Sequence, residues 1–361
     1  MKIDAIQTGH YRIPLDVVLT DSTHGEIPYF ELVTVRLRCD GAEGVGYTYT
    51  VGRGAAAIRS LIERELADLL TGADPARTEH LWEEMWWRLH YVGRGGIAVF
   101  AISAVDIALW DLKARLADQP LWRMLGGHSP EVKVYAGGID LQLPMDALVE
   151  QTRRNLARGF RAIKMKVGRE RLSEDIERVA AMRDLLGPHL PLMVDANMRW
   201  TARQAIQAAK EMAEYNVFWL EEPIIPDDVE GHARVAREGG IPIAAGENLH
   251  SIYEFRHLIA AGGVSFPEPD VSNIGGITAW MKVAHLAEAY NLEVTTHGVH
   301  DLHVHLLAAI PNASYLEAHG FGLEKFIAHP LEIVEGVAMA PERPGHGVEF
   351  DWNALDALKV P

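Results

Sequence analysis

Apolar and polar residues alternate from Phe30 to Arg38, a period of two that predicts a strand, and Gly41 and Gly44 mark a turn before the next one. Residues from about 55 to 125 change period. Trp82 and Trp86 stand four apart, and the Ala/Ile/Leu/Trp-rich run from Ile97 to Ala114 reads as a buried helix. Strands followed by helices predict an α+β unit over residues 1–125.

From Val132 the rhythm becomes short apolar runs, each ending in polar residues and each followed by a helical pattern. The runs are Val132–Tyr135, Ala162–Lys166, Leu192–Asp195, Phe218–Glu221, Ile243–Gly246, Val264–Pro267, Glu293–Thr296 and Tyr315–Glu317. Eight βα units within residues 126–321 fit a closed (β/α) barrel better than a doubly wound sheet, which calls for a Gly-rich phosphate turn that the chain lacks. The last stretch, 322–361, loses the rhythm, gains Pro and Gly, and is expected to return to the first domain. The predicted fold class is therefore α/β, a modified TIM-like barrel with an α+β capping domain.

Composition narrows the range of functions. A length of 361 residues supports two domains, and 48% apolar with 23% charged residues is ordinary for a soluble globular chain. A net charge of −16 with no basic cluster argues against nucleic acid and anionic membranes as partners. Cys39 is the only cysteine, which excludes an internal disulfide and a thiolate zinc cluster and suits a reducing cytoplasm. The N-terminus has no signal-peptide pattern, and no run approaches the roughly 20 apolar residues of a membrane span.

The residues that close the barrel strands carry the chemistry: Lys164 and Lys166, then Asp195, Glu221, Glu247, Asp270, His297 and Glu317, at intervals of 20 to 31 residues. All C-terminal strand ends of a parallel barrel lie on one face, so these residues converge at its mouth. Three neighbouring carboxylates, Asp195, Glu221 and Glu247, repel one another unless a cation neutralises them. An all-oxygen set favours Mg²⁺ first and Mn²⁺ next. Lys164 and Lys166, two apart on one strand, point the same way. Burial and like charge are expected to lower the pKa of Lys166 enough for it to act as a base, while Lys164 stays charged and grips the substrate. Asp270 next to His297 makes an oriented imidazole base. Glu317 is placed to share a proton with a developing enolate oxygen. Together these groups suit removal of the proton alpha to a metal-bound carboxylate.

The motifs Lys164-Met-Lys166, Asp195-Ala-Asn197, Glu221-Glu222-Pro223, Gly246-Glu247-Asn248, Pro269-Asp270, Ile274-Gly275-Gly276-Ile277-Thr278, Thr296-His297-Gly298 and Glu317 run through residues 164–317. In this pattern the chain resembles the mandelate racemase group of the enolase superfamily. The resemblance implies a cap over a modified barrel, Mg²⁺ on Asp195, Glu221 and Glu247, and Lys166 and the His297–Asp270 dyad as the two bases. Glu317 would stand beside the substrate carboxylate, with Asn197 touching the substrate. It also implies cap loops at 16–25 and 47–54 that set specificity, where Thr20, Ser22, Thr23, His24 and Tyr47 are polar and suit a sugar acid. Dehydration to a 2-keto-3-deoxy acid is the first expectation; opening of an anhydro-sugar acid or lactone, or racemisation, is the alternative. A homo-oligomer, up to an octamer, is implied as well. Glu268 departs from the uncharged residue expected before Pro269-Asp270.

Other readings fit less well. A hydrolase barrel wants an H-x-H at its first strand, and the chain's H-x-H, His303-Val304-His305, falls in a helix after the seventh strand. A barrel that binds a metal and a sugar acid without turnover has no need of both Lys166 and His297. The Tyr91–Gly96 stretch lacks the Gly-Lys-Ser/Thr ending of a phosphate loop.

Overall fold

The computed structural model describes residues 1–319 and 322–361, and the boundary expected at 321/322 lies outside the described residues. Three antiparallel strands open the chain: β1 (Ala5–Asp21), β2 (Gly25–Cys39) and β3 (Ala42–Thr50), in the order β1-β2-β3. The turn between β2 and β3 is tight because Asp40 and Gly41 both adopt positive φ, the geometry that matches the twist of a two-residue hairpin. Gly44, expected in that turn, lies inside β3 instead.

The alternation along β2 separates two cores rather than core from solvent. Phe30 and Leu32, with Tyr47 and Tyr49 of β3, join the large core shared with the barrel. Val33, Val35 and Leu37 pack with the cap helices, chiefly Ala55–Leu61 and Ile97–Leu116. Both faces are covered, so the sheet is a wall between cap and barrel. The long helix lies directly on the β3 backbone, because Gly44 and Gly46 present no side chain to it. A Cβ on Gly46 would come within 2.1 Å of Ala104 O.

The barrel strands are β4 (Glu131–Gly137), β5 (Ile163–Lys166), β6 (Leu192–Asp195), β7 (Leu220–Glu221), β8 (Ile243–Ala245), β9 (Phe266–Pro267) and β10 (Tyr315–Ala318), each parallel to its neighbour. The seventh barrel position is a single parallel bridge, Val294 to Ala313, and Thr295 N–H donating to Pro267 O links it to β9. This closes the ring. Helices 145–157, 172–186, 202–213, 229–239, 252–260, 276–289 and 300–309 alternate with the strands. Several strands are shorter than their apolar runs. Prolines at 191, 242 and 267 lack the N–H that a ladder needs, although single hydrogen bonds such as Phe218 N to Leu192 O (2.8 Å) continue the pairing.

The barrel interior is filled by Tyr135, Met193 and Trp219, with Tyr135 and Trp219 edge to face at 5.4 Å. The centre is therefore a packed plug and any open space lies at the strand ends. The C-terminal segment serves both domains. β11 (Ile333–Val334) and β12 (Val337–Met339) form a hairpin on β4, after which Gly345 pairs with Pro120 and Lys359 with Tyr11 of β1. Among the described residues no helix is long and apolar enough to cross a membrane.

Gly46→Ala is expected to lower stability by about 1 to 3 kcal/mol, the usual cost of forcing a methyl into a filled contact. Urea unfolding that left the midpoint unchanged would show that the helix is free to move off the strand.

Candidate active site

The strand register brings the expected residues side by side. Lys166 is the cross-strand partner of Asp195, and Asp195 of Glu221. Glu247 follows β8, Asp270 follows β9, His297 follows the Val294 bridge and Glu317 lies in β10. Every one of these side chains is buried or nearly so. Gly137 on β4 leaves room for Glu317, since a Cβ there would meet Glu317 Oε1 at 2.4 Å.

Carboxylate oxygens of Asp195, Glu221 and Glu247 lie within 4.8 Å of one another. Burial, followed by the Asp195 charge, pushes the Glu221 carboxyl well above the usual carboxylate range. Glu247 Oε2 is buried and 3.1 Å from His297 Nε2, but the two are not aligned to hydrogen bond. An all-oxygen set with an unsatisfied buried oxygen and a carboxyl driven towards its neutral form fits a hard divalent cation.

Lys164 Nζ lies between Glu221 Oε1 (2.5 Å) and Glu317 Oε1 (2.7 Å), with Asp195 Oδ2 at 3.6 Å. Burial lowers its pKa, but Glu221 and Glu317 outweigh burial and hold the ammonium charged. Lys166 Nζ donates to Asp195 Oδ2. Without a cation on the neighbouring carboxylates, the shift runs opposite to the expected lowering. Burial and Lys164 do pull Lys166 down, yet Asp195, Glu247 and Glu221 together shift it above an ordinary lysine. Glu317 also departs from expectation. Against the burial that raises it, Lys164 holds it well below the usual range, so it is ionised and has no proton to share. It accepts the Gly298 N–H at 2.9 Å.

His297 Nδ1 is 3.1 Å from Asp270 Oδ2, and Tyr49 Oη donates to the same oxygen at 3.0 Å. Ser272 holds the other Asp270 oxygen through its N–H (2.8 Å) and Oγ (2.7 Å). Burial lowers the His297 pKa, but Glu247 and the Asp270 hydrogen bond lift it to about 10.

A cavity of about 390 Å³ stands over these groups. Lys166, Asn197, Glu247 and His297 line it from the barrel, and Asp21, His24, Tyr49 and Arg53 from the cap. Asn197 takes positive φ, donates its N–H to Asp195 Oδ1 at 2.8 Å and keeps a buried, unpartnered Oδ1. Of the cap residues expected to touch substrate, only His24 lines this cavity. Ser22 Oγ donates to Ala196 O (2.7 Å) and Thr23 Oγ1 to Asn197 O, so these hydroxyls tie the loop to the barrel rim. Thr20 bridges to Asp140 beside the mouth. Tyr47 is fully buried against Phe350 at 5.4 Å. Tyr49, two residues further along the same strand face, reaches the site in its place. Position near the strand end was the signal that separates the two. Glu268 is buried beneath the site and accepts from Tyr135 Oη at 3.2 Å; burial, then Glu221, raises it well above the carboxylate range.

This combination of a cap sheet over a barrel with carboxylates and paired bases on successive strand ends defines an enzyme of the enolase superfamily, a lyase or an isomerase. Residues 12–126 match the mandelate racemase / muconate lactonizing enzyme N-terminal domain, and residues 147–354 the enolase C-terminal domain-like model. The chain belongs to the mandelate racemase / muconate lactonizing enzyme family. It is 56% identical over 359 residues, 99% of each chain, to a 3,6-anhydro-alpha-L-galactonate cycloisomerase from Streptomyces coelicolor. It is 38% identical over 317 residues, 87% of this chain and 79% of the other, to an L-talarate/galactarate dehydratase from Salmonella typhimurium. A solved racemase from Streptomyces coelicolor A3(2) with bound magnesium superposes with a TM-score of 0.97 at 55% identity, covering 99% of this chain and 100% of that one.

In metal-free protein His297 is expected to remain an imidazolium until the pH nears 10. Ring-nitrogen NMR would follow it directly, and a transition near 6.5 would mean that the Glu247 and Asp270 contacts do not hold in solution.

Proposed function

We propose that the protein is a Mg²⁺-dependent cycloisomerase that opens an anhydro-sugar acid to a 2-keto-3-deoxy acid. This displaces dehydration, the first expectation from the sequence. The observation that carries it is the 56% identity, end to end, with a 3,6-anhydro-galactonate cycloisomerase, against 38% over a shorter span with a dehydratase. The cavity wall agrees. Ile27, Val51, Ile58, Ile97, Phe100 and Ile139 form an apolar side that suits the C–H face of a compact ring better than an extended row of hydroxyls.

Asp195, Glu221 and Glu247 would hold the Mg²⁺, with Mn²⁺ as an acceptable substitute. When bound there, the ion supplies Lewis-acid stabilisation of the enediolate formed from the substrate carboxylate. Lys164, held charged, grips that carboxylate. Glu317 fixes Lys164 at 2.7 Å and does so as an anion. Asn197, with its free amide oxygen, orients a substrate hydroxyl.

Lys166 and His297 both line the cavity and are the candidate acceptors of the alpha proton. Without the cation, the surrounding carboxylates favour the protonated form of each. With a cation sharing Asp195 and Glu247, Lys166 and His297 lose part of the charge that holds those protons, and their basicity falls towards neutral pH. Asp270 keeps Nδ1 engaged, so Nε2 is the nitrogen that exchanges a proton with substrate. A symmetric homo-oligomer in a reducing cytoplasm, where the buried Cys39 stays a thiol, completes the reading.

Wild-type protein with Mg²⁺ and a 3,6-anhydro-galactonate is expected to yield a 2-keto-3-deoxy acid, while galactarate and other acyclic acids react at least tenfold more slowly. A faster reaction with an acyclic acid would restore the dehydratase reading. Chelation should abolish turnover, and Glu221→Gln should weaken Mg²⁺ binding in calorimetry with the fold intact. Unaltered affinity would remove Glu221 from the metal set.

A further inference from the structure

The cap carries a second oriented histidine–aspartate pair. Asp21, at the end of β1, is 9% exposed. Its Oδ1 accepts the N–H groups of Thr23 (2.8 Å) and His24 (2.6 Å), and its Oδ2 lies 2.9 Å from His24 Nδ1. Two backbone N–H groups thus fix the carboxylate, and one contact joins it to the ring. The hydroxyls of Ser22 and Thr23 pin the same loop to the carbonyls of Ala196 and Asn197, the two residues after Asp195. The imidazole is therefore held in the cavity wall, with Lys166, Glu247 and His297 lining the same space. Because Nδ1 is taken by Asp21, Nε2 is the nitrogen left for a ligand.

Ring opening needs an acid as well as a base. Breaking the bond between the β-carbon and the ring oxygen would otherwise release an alkoxide, which is far too basic to leave unprotonated. Lys166 and His297 are both gathered against the carboxylate cluster, Lys166 on Asp195 and His297 within 3.1 Å of Glu247, which is the end where the substrate carboxylate and its alpha carbon would sit. His24 lines the same cavity from the cap, on a loop whose neighbouring hydroxyls hold it at the rim beside the Asp195 strand end, and its Nδ1 is paired with Asp21 rather than with that cluster.

We propose that His24, oriented by Asp21, is the acid that protonates the departing ring oxygen. This rests on the ring-opening reading of the site. One base takes the proton from the alpha carbon. The enediolate electrons form the double bond to the β-carbon, and the carbon–oxygen bond breaks with its electron pair going to oxygen. His24 Nε2 gives that oxygen a proton and is left neutral. The enol then tautomerises. Its hydroxyl proton is lost, the β-carbon gains one, and His24 is reprotonated from solvent, so substrate and product are isomers with no water added or removed. The hydrogen bond to the Asp21 carboxylate raises the His24 pKa above an ordinary histidine, against the effect of burial, which favours the charged ring.

The test uses the Mg²⁺-loaded enzyme in D₂O with an anhydro-sugar acid, following keto product and deuterium at the alpha carbon of recovered substrate together. In His24→Asn, product formation should fall roughly 10² to 10⁴-fold, the usual contribution of a positioned acid, while exchange at the alpha carbon persists within about tenfold of wild type. Asp21→Asn, which keeps the ring but loosens its orientation, should shift the same ratio in the same direction by a smaller factor. Product formation within tenfold of wild type in His24→Asn overturns the proposal. So does a parallel loss of exchange and product in both variants, which would mark His24 as a binding or structural residue only. If wild-type enzyme gives no keto acid from the anhydro acid, it is the cycloisomerase reading that fails, and the variants are not needed to see it.

Discussion

Buried carboxylates of like charge organise this molecule. At an effective dielectric of about 20, two unit charges 4.8 Å apart repel by roughly 3 to 4 kcal/mol, and Asp195, Glu221 and Glu247 all fall within that distance of one another. Glu317 adds a fourth negative charge on the far side of Lys164. No apolar barrel core would tolerate such a set without compensation. Compensation comes from Lys164 and Lys166, which the alternation of β5 points inward from a single strand, and from His297. The resulting mesh of short contacts sets every protonation state in the site, which explains why Lys166 and His297 gain protons where burial alone would strip them.

That mesh also determines what the surrounding fold must do. The cap sheet is buried on both faces, so it can close the mouth of the barrel without exposing an apolar surface of its own. Tyr49 reaches Asp270 from the barrel-facing side of the wall, and Thr48 beside it donates to Ser272 O at 2.7 Å, so one strand end braces the histidine dyad from the cap. The loop at Asp21–His24 braces the Asp195 strand end in the same way. Cap and barrel thus share the positioning of the reactive groups. The stitching of Lys359 to Tyr11 and Gly345 to Pro120 keeps the two from separating.

What the sequence made legible follows from periodicity. A strand exposes its end residue at a fixed face, so Lys164, Lys166, Asp195, Glu221, Glu247, Asp270, His297 and Glu317 could be assigned to one mouth from spacing alone. Cap residues have no such constraint. Thr20, Ser22, Thr23 and Tyr47 are polar residues in the right loops, but Ser22 and Thr23 give their hydroxyls to backbone carbonyls of the barrel rim, Thr20 Oγ1 accepts the Gln142 N–H at 3.3 Å, and Tyr47 is buried in the core. The protonation of Lys166 is not legible from spacing for a related reason. Spacing identified its neighbours without giving the distances on which the balance between burial and charge depends.

Glu268 illustrates a term that composition could not evaluate. It lies in the packed layer below the mouth, where Tyr135 Oη reaches one oxygen and the other has no partner. A carboxylate there would add to the repulsion already present above it, and burial together with Glu221 drives it towards the neutral acid. A neutral acid adds no charge to the cluster, so the departure at this position costs the metal site little. It still leaves a proton beneath Lys164, in a layer otherwise filled by aromatic rings. The negative charge around the mouth is that of Asp195, Glu221, Glu247, Asp270 and Glu317, reduced by Lys164, Lys166 and His297. This partial compensation is what allows so many ionisable groups to occupy one barrel mouth.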